Sequence, residues 1–288
     1  MTPLPRTPAA PSAPIRLIAT DLDGTLLRDD KTISPRTSAA LDAAARAGIH
    51  VLFVTGRPAR WMEVVRDHAR GDSLAICGNG AAVVDLATDD EEGRPRFVRV
   101  RPLPEETALA VVAALRAHAP GTSFAVERTS GLFHELGYPP LHLDPAQGVA
   151  PAEKLLAEPT GPRPQPVLKL LAHHGDLAPD AFLAQARSLV GDLVSVTRSS
   201  PTALLEISAH GVSKASTLAL SCAERGIRQE EVAAFGDMPN DIEMLSWAGS
   251  SYAMGNAHPD VLAAATGTTR ENNEDGVALV IERILADG

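Results

Sequence analysis

Two aspartates, Asp21 and Asp23, stand two residues apart where the apolar run Leu17 to Ala19 gives way, through Thr20, to Gly24 and Thr25. Side chains along an extended chain alternate, so both carboxylates face one crevice if the strand persists that far. A third carboxylate, Asp237, follows another short apolar run, Val232 to Phe235. At a reference pKa of about 3.9 such groups are ionised at neutral pH, yet they are weak nucleophiles and repel a phosphate dianion. A hard cation with oxygen ligands removes that repulsion, and Asp21 with Asp237 suits Mg²⁺. The Thr55 hydroxyl, backbone amides near Leu22 and Gly56, and the Lys214 ammonium are the kinds of group that stabilise charge on a transferring phosphoryl group.

Positioning these residues takes an alternation of strands and helices. Strands are expected at 16–20, 50–54, 74–77, 232–235 and 251–254, with helices at 34–48, 59–69, 213–225, 241–247 and 276–286. Ser34 followed by Pro35 opens the first helix and Gly48 closes it. Such alternation implies a Rossmann-like parallel sheet with helices on both faces, and ligands of such sheets bind beyond the carboxyl ends of the strands. Asp21 with Asp23, Thr55, Asn79, Asp237 and Asn256 each follow one of these strands. Asn79 and Asn256 are expected to shape turns; Thr55-Gly56-Arg57 taken alone is a common strand-to-helix turn in which Arg57 could simply face solvent, and a functional reading of it rests on the other motifs. Trp61 is read as a packing residue of the helix at 59–69.

The texture changes near Asp85. A hairpin of 82–86 against 97–101, a helix at 104–118, a strand at 124–128, a Pro-rich stretch at 139–166, a strand at 167–172, a helix at 179–189 and a strand at 193–197 form a set of their own. Residues 87–200 are therefore expected to be an inserted α/β domain, with 15–86 and 201–288, including a strand at 203–207, as the core. Residues 1–14, holding five of the 23 prolines, are expected to be a disordered leader.

Of 288 residues, 26 are basic and 36 acidic, a net charge of −10 with no basic block, which disfavours nucleic acid as a partner. No apolar run approaches the roughly 20 residues of a membrane span, and a cytoplasmic location is expected. Cys77 and Cys222 form no metal or disulfide framework and read as buried thiols. Aromatic residues make up only 3%, so the core must be aliphatic. Oligomeric state stays open.

Asp21 to Leu27, Val54 to Pro58, Asn79 to Ala81, Gly211 to Lys214, Gly236 to Asp241 and Met254 to Ala257 together resemble the motifs of the haloacid dehalogenase superfamily, and within it the Cof-type sugar-phosphatase branch. The resemblance implies that Asp21 attacks phosphorus to form an aspartyl-phosphate, and that Asp23 protonates the leaving alkoxide and then activates water. It implies Mg²⁺ held by Asp21, the backbone carbonyl of Asp23, and Asp237. Thr55 and Lys214 would hold phosphoryl oxygens, Asn240 would contact phosphate, and Asp241 would support the site from behind. The insertion would be the family's cap, and Glu127, Arg128, Phe133, His134 and Tyr138 lie where a cap could read substrate. His173 and His174, adjacent on a strand, point to opposite faces, which argues against a shared metal and makes a place on the cap surface the default expectation. The expected activity is hydrolysis of a small phosphorylated metabolite, a sugar phosphate foremost. A phosphosugar mutase and a catalytically silent ligand-binding module are the alternatives.

Overall fold

Leu17–Thr20 forms strand β1, buried at every residue because parallel strands flank it on both edges. A computed structural model of the chain describes residues 13–69, 74–139, 145–157 and 165–287. Most of the leader at 1–14 and, within the Pro-rich stretch, residues 140–144 and 158–164 lie outside the described residues. After β1 come α1 (Pro35–Arg46), β2 (His50–Val54), α2 (Glu63–Arg66), β3 (Leu74–Cys77), β4 (Ala82–Asp89) and β5 (Pro95–Val100). Helix α1 begins where Ser34 Oγ accepts from the Thr37 amide at 3.0 Å, and it buries Ala40, Leu41 and Ala44. The helix expected over 59–69 is instead a 3₁₀ turn, Ala59–Trp61, followed by the four residues of α2. Amides of Trp61 and Met62 bond the carbonyls of Pro58 and Ala59, three residues back, which winds the chain too tightly for an α-helix.

The chain then builds a second sheet: α3 (Glu105–His118), β6 (Ser123–Arg128), β7 (Gly131–His134), β8 (Gly148–Val149), α4 (Ala152–Ala157), β9 (Val167–His173), α5 (Pro179–Val190), β10 (Val194–Thr197) and β11 (Leu204–Ala209). It returns to the first sheet through α6 (Lys214–Glu224), β12 (Val232–Gly236), α7 (Ile242–Trp247), β13 (Ser250–Ala253), α8 (Pro259–Ala264), β14 (Gly267–Thr268) and α9 (Gly276–Asp287). The first sheet has the order β14-β13-β12-β1-β2-β3-β4-β5, parallel from β14 to β3, with β4 antiparallel to β3. Helices α1 and α9 pack together, as do α6 and α7, so that helices cover both faces. The second sheet, β10-β11-β9-β6-β7-β8, is antiparallel except where β7 meets β8.

Two compact units result, 1–99 with 214–288 and 100–213. Residues 87–99, expected in the insertion, belong to the first unit because β4 and β5 extend its sheet. Residues 201–213, expected in the core, belong to the second because β11 pairs with β9 and β10. An apolar strand shows that it will be buried but not which sheet will bury it. His174 also departs from expectation: it is buried, with Nε2 3.0 Å from the Pro120 carbonyl and its ring against Phe182, whereas His173 turns to Tyr138. Among the described residues no helix is long and apolar enough to cross a membrane.

The first unit's core is aliphatic around a few rings, among them Phe235, fully buried and stacked on Tyr252 at 5.2 Å between centroids. Phe235→Ala should lower stability by about 3–5 kcal/mol, read as a drop in the urea midpoint; a loss below about 1 kcal/mol would contradict this packing.

Candidate active site

Asp21 lies one residue beyond β1, and its amide still donates to the Phe235 carbonyl at 3.1 Å. The chain then turns, the amides of Thr25 and Leu27 both bonding the Leu22 carbonyl, so the strand does not persist to Asp23. Gly24 makes this turn possible with φ at +73°, and a Cβ there would lie 2.2 Å from Asp237 Oδ2. Only glycine meets both demands. Asp237 follows β12, which runs parallel to β1 in the register Thr20 to Phe235, so two neighbouring strand ends bring Asp21 and Asp237 together. Thr25 Oγ1 donates to Asp237 Oδ1 at 3.1 Å.

Lys214 is the first residue of α6 and is wholly buried. Its Nζ donates to Asp21 Oδ1 at 2.6 Å and to Asp241 Oδ1 at 2.7 Å. The other Asp241 oxygen accepts from the amides of Asp237 and Met238, each at 3.1 Å. Gly236 is held as closely, since a Cβ on it would stand 2.4 Å from Asp241 Cβ. Ligand atoms of Asp21, Asp237 and Asp241 all lie within 4.8 Å of one another.

Thr55 closes β2, and its Oγ1 accepts from the Arg57 amide at 3.1 Å across Gly56. Asn79, in the left-handed region at φ +56°, accepts at Oδ1 from Asn240 Nδ2 at 3.0 Å, and the Asn240 Oδ1 is buried without a partner. Asn256 Nδ2 donates to the Gly24 carbonyl at 2.8 Å, bracing the turn. Asp23 turns to a different environment. Its carboxylate is gripped by Arg57, with Nη2 2.7 Å from Oδ1 and Nε bonded to Oδ2, and Lys31 Nζ lies 2.9 Å from Oδ1.

Three buried carboxylates around one ammonium leave an excess of negative charge. Burial raises the Asp21 pKa to about 7, with Lys214 pulling it down and repulsion from Asp241 pushing it up. Burial likewise raises Asp237 to about 8, aided by Asp21 and Asp241. Burial alone would lower Lys214, but the two carboxylates it touches hold it above its ordinary value. For Asp23, partial burial is outweighed by the Arg57 hydrogen bonds and charge, with help from Lys31, and its pKa falls to about 2.

A divalent cation fits this set. Both Asp241 oxygens are committed, whereas Asp21 and Asp237 each use one oxygen and keep another for an ion, and a second positive charge would return both to the ionised state. Hard ions that take few protein carboxylates and keep their waters match such a donor set.

A family model of haloacid dehalogenase-like hydrolases matches residues 18–281. The chain belongs to this family. It is similar to the 5-amino-6-(5-phospho-D-ribitylamino)uracil phosphatase YitU of Bacillus subtilis, 31% identical over 94% of this chain and 97% of that protein. Pyridoxal phosphate phosphatase YbhA of Escherichia coli is 30% identical over 92% of this chain and 97% of its own length. The crystal structure of SMU.1108c from Streptococcus mutans shares the fold at a TM-score of 0.79 and 22% identity, covering 94% of this chain and 99% of that one. This hydrolase is an enzyme of the phosphatase type, in the Cof-type branch.

The structure thus joins Asp21, Lys214, Asp237 and Asp241 directly, while the Asn240 side chain donates to Asn79. Leu22 is buried in the turn, and Gly56 bridges Thr55 to Arg57. Two groups of the hydrolase escape sequence reasoning. Arg57, which the sequence by itself leaves free to face solvent, grips Asp23, and nothing local in the chain marks that contact. Lys31 is invisible beforehand because its reach depends on a left-handed backbone at φ +68°.

Raised carboxylate values mean that the folded hydrolase holds more protons than the unfolded chain between about pH 4 and 8. In chelator its stability should therefore fall as pH rises through that window, and Asp237→Asn should flatten the fall. Asp23 acts with the opposite sign, its stabilisation being lost only as pH drops toward about 2. Urea midpoints at pH 5 and 8 check this, and a midpoint that climbs with pH would refute it.

Proposed function

We propose that this hydrolase is a Mg²⁺-dependent phosphomonoesterase that cleaves a small phosphorylated metabolite, a sugar phosphate foremost, through an aspartyl-phosphate on Asp21. The observation carrying this reading is the cluster of Asp21, Asp237 and Asp241 around the Lys214 ammonium. Asp21, the Asp23 backbone carbonyl and Asp237 would hold the ion. When bound, Mg²⁺ would supply positive charge that lowers repulsion between carboxylate and phosphate.

An Asp21 oxygen attacks phosphorus while the bond from phosphorus to the leaving oxygen breaks, and Asp23 gives that oxygen its proton. Asp23, now a carboxylate, takes a proton from water as the water oxygen attacks phosphorus. The bond from phosphorus to Asp21 breaks, releasing inorganic phosphate and restoring both residues. To serve as acid, Asp23 must first come off the Arg57 fork, which otherwise keeps it ionised. Lys214, Thr55 and the amides near Leu22 and Gly56 hold phosphoryl oxygens, and Asp241 orients Lys214. Asn240 joins them once its Nδ2 turns away from Asn79. The inserted unit takes the part of the family's cap and selects the leaving group, and the cytoplasm, where phosphorylated metabolites are kept, is the place of action.

Asp21→Asn should abolish phosphate release from p-nitrophenyl phosphate, and Asp23→Asn should lower kcat by about 10²–10⁴-fold. Wild-type turnover in Asp21→Asn would exclude it as the nucleophile. Chelation should stop the reaction and added Mg²⁺ restore it, measured as phosphate released. Phosphate moved between positions of one sugar, with none released, would reassign the enzyme as a mutase.

A further inference from the structure

Lys31 occupies a backbone position that is costly for a lysine. Its φ of +68° lies in the left-handed region, where glycine and asparagine sit most easily. The turn that puts it there is fixed from several sides. The Lys31 amide donates to the Arg28 carbonyl and the Arg28 amide to the Thr32 carbonyl, each at 2.9 Å. The Asp29 carboxylate accepts from Asn272 Nδ2 at 3.0 Å and from Asn273 Nδ2 at 2.8 Å, and that of Asp30 accepts from the Thr32 amide and hydroxyl. Arg28 Nη2 reaches Asp275 Oδ1 at 3.1 Å. Backbone strain that its surroundings hold in place gathers at working positions. What lysine brings to this one is its side chain, which reaches back to Asp23.

At Asp23 that ammonium is the second cation on one carboxylate. Arg57 takes both oxygens through Nε and Nη2 in parallel, and Lys31 Nζ adds a contact to Oδ1. Asp29 acts on Lys31 through space, but its own oxygens are committed to the two asparagines. Lys31 and Asp23 are open to solvent, whereas Arg57 is mostly buried. An arginine fork fits the paired oxygens of any carboxylate or phosphate, whichever molecule carries them.

Asp23 serves the leaving oxygen only after it turns off this fork. When it turns, both cations lose their carboxylate beside the place where the rest of the leaving group lies. A second anion on that leaving group meets the fork and the ammonium there, and by occupying them it frees Asp23. With an uncharged leaving group, Asp23 must part from two cations that nothing else satisfies.

We propose that Arg57 and Lys31 form a binding site for a second anionic group of the substrate, a carboxylate or a phosphate, and that this group displaces Asp23 from them. This rests on the phosphatase reading, and every residue named lies in the first unit. The test is the kinetics of the full chain with Mg²⁺ on 6-phosphogluconate and fructose 1,6-bisphosphate, set against glucose 6-phosphate and fructose 6-phosphate. The wild type should favour at least one of the first two over its singly phosphorylated, otherwise neutral counterpart in kcat/KM, and which of them it favours tells carboxylate from phosphate. Lys31→Asn suits the left-handed turn and removes the ammonium. It should lower that preference about 2–5-fold, the range of one exposed ion pair. Arg57→Lys, which keeps a charge but not the fork, should lower it about 10-fold, and Lys31→Arg should hold it within about twofold. A wild type without the preference, or variants in which both kinds of ester fall in the same proportion, overturns the proposal. If no ester is hydrolysed, the phosphatase reading fails by itself. Calorimetry then decides the binding claim: 6-phosphogluconate binding more tightly than glucose 6-phosphate to the wild type but not to Lys31→Asn supports it, and equal binding or none overturns it.

Discussion

The Lys214 ammonium is out of reach of water and lies between Asp21 and Asp241. Removing an ion from water costs several kcal/mol even after relaxation, and partners recover that cost only when their geometry is close to ideal. The surrounding architecture can be understood as the means of holding that geometry. Parallel pairing of β1 and β12 sets two carboxylates side by side, the amides after β12 fix Asp241, and α6 starts on the lysine itself. One ammonium among three carboxylates satisfies itself and leaves the carboxylates in deficit, which is the condition that draws in a further cation.

The two aspartates of the first motif show how far environment overrides proximity in sequence. Asp21 and Asp23 are separated by one residue, yet their pKa values move in opposite directions, to about 7 and about 2. Burial among like charges governs the first. Two cations on a carboxylate whose side chain is 42% exposed govern the second. Enzymes that need two carboxyl groups in different roles separate them by such means.

Much of this arrangement is legible in the chain itself. Short apolar runs that stop at Asp21, Thr55 and Asp237 mark strand ends, and a parallel sheet gathers strand ends at one edge, so the crevice follows from periodicity alone. Elements without enough residues to show a period do not follow: β8 and β14 have two residues each, and α4 and α8 six. Sheet membership is equally hidden, because Leu204, Leu205 and Ile207 call for burial in whichever sheet takes them. The grip of Arg57 on Asp23 spans 34 positions and is set by a turn, and local pattern carries no trace of it. Tyr138 is legible as an aromatic of the insertion, but that its hydroxyl has no hydrogen bond among the described residues is a property of packing.

Gly24 and Gly236 press against Asp237 and Asp241 so closely that neither position has room for a methyl group. The site is therefore vulnerable along a route that charge does not reveal. A copy of this gene released from selection need not lose an aspartate to fall silent: one alanine at either glycine would push a carboxylate aside while every acidic residue of the motifs stayed in place. Among relatives, the state of these two glycines is thus as telling a sign of a working enzyme as the aspartates themselves.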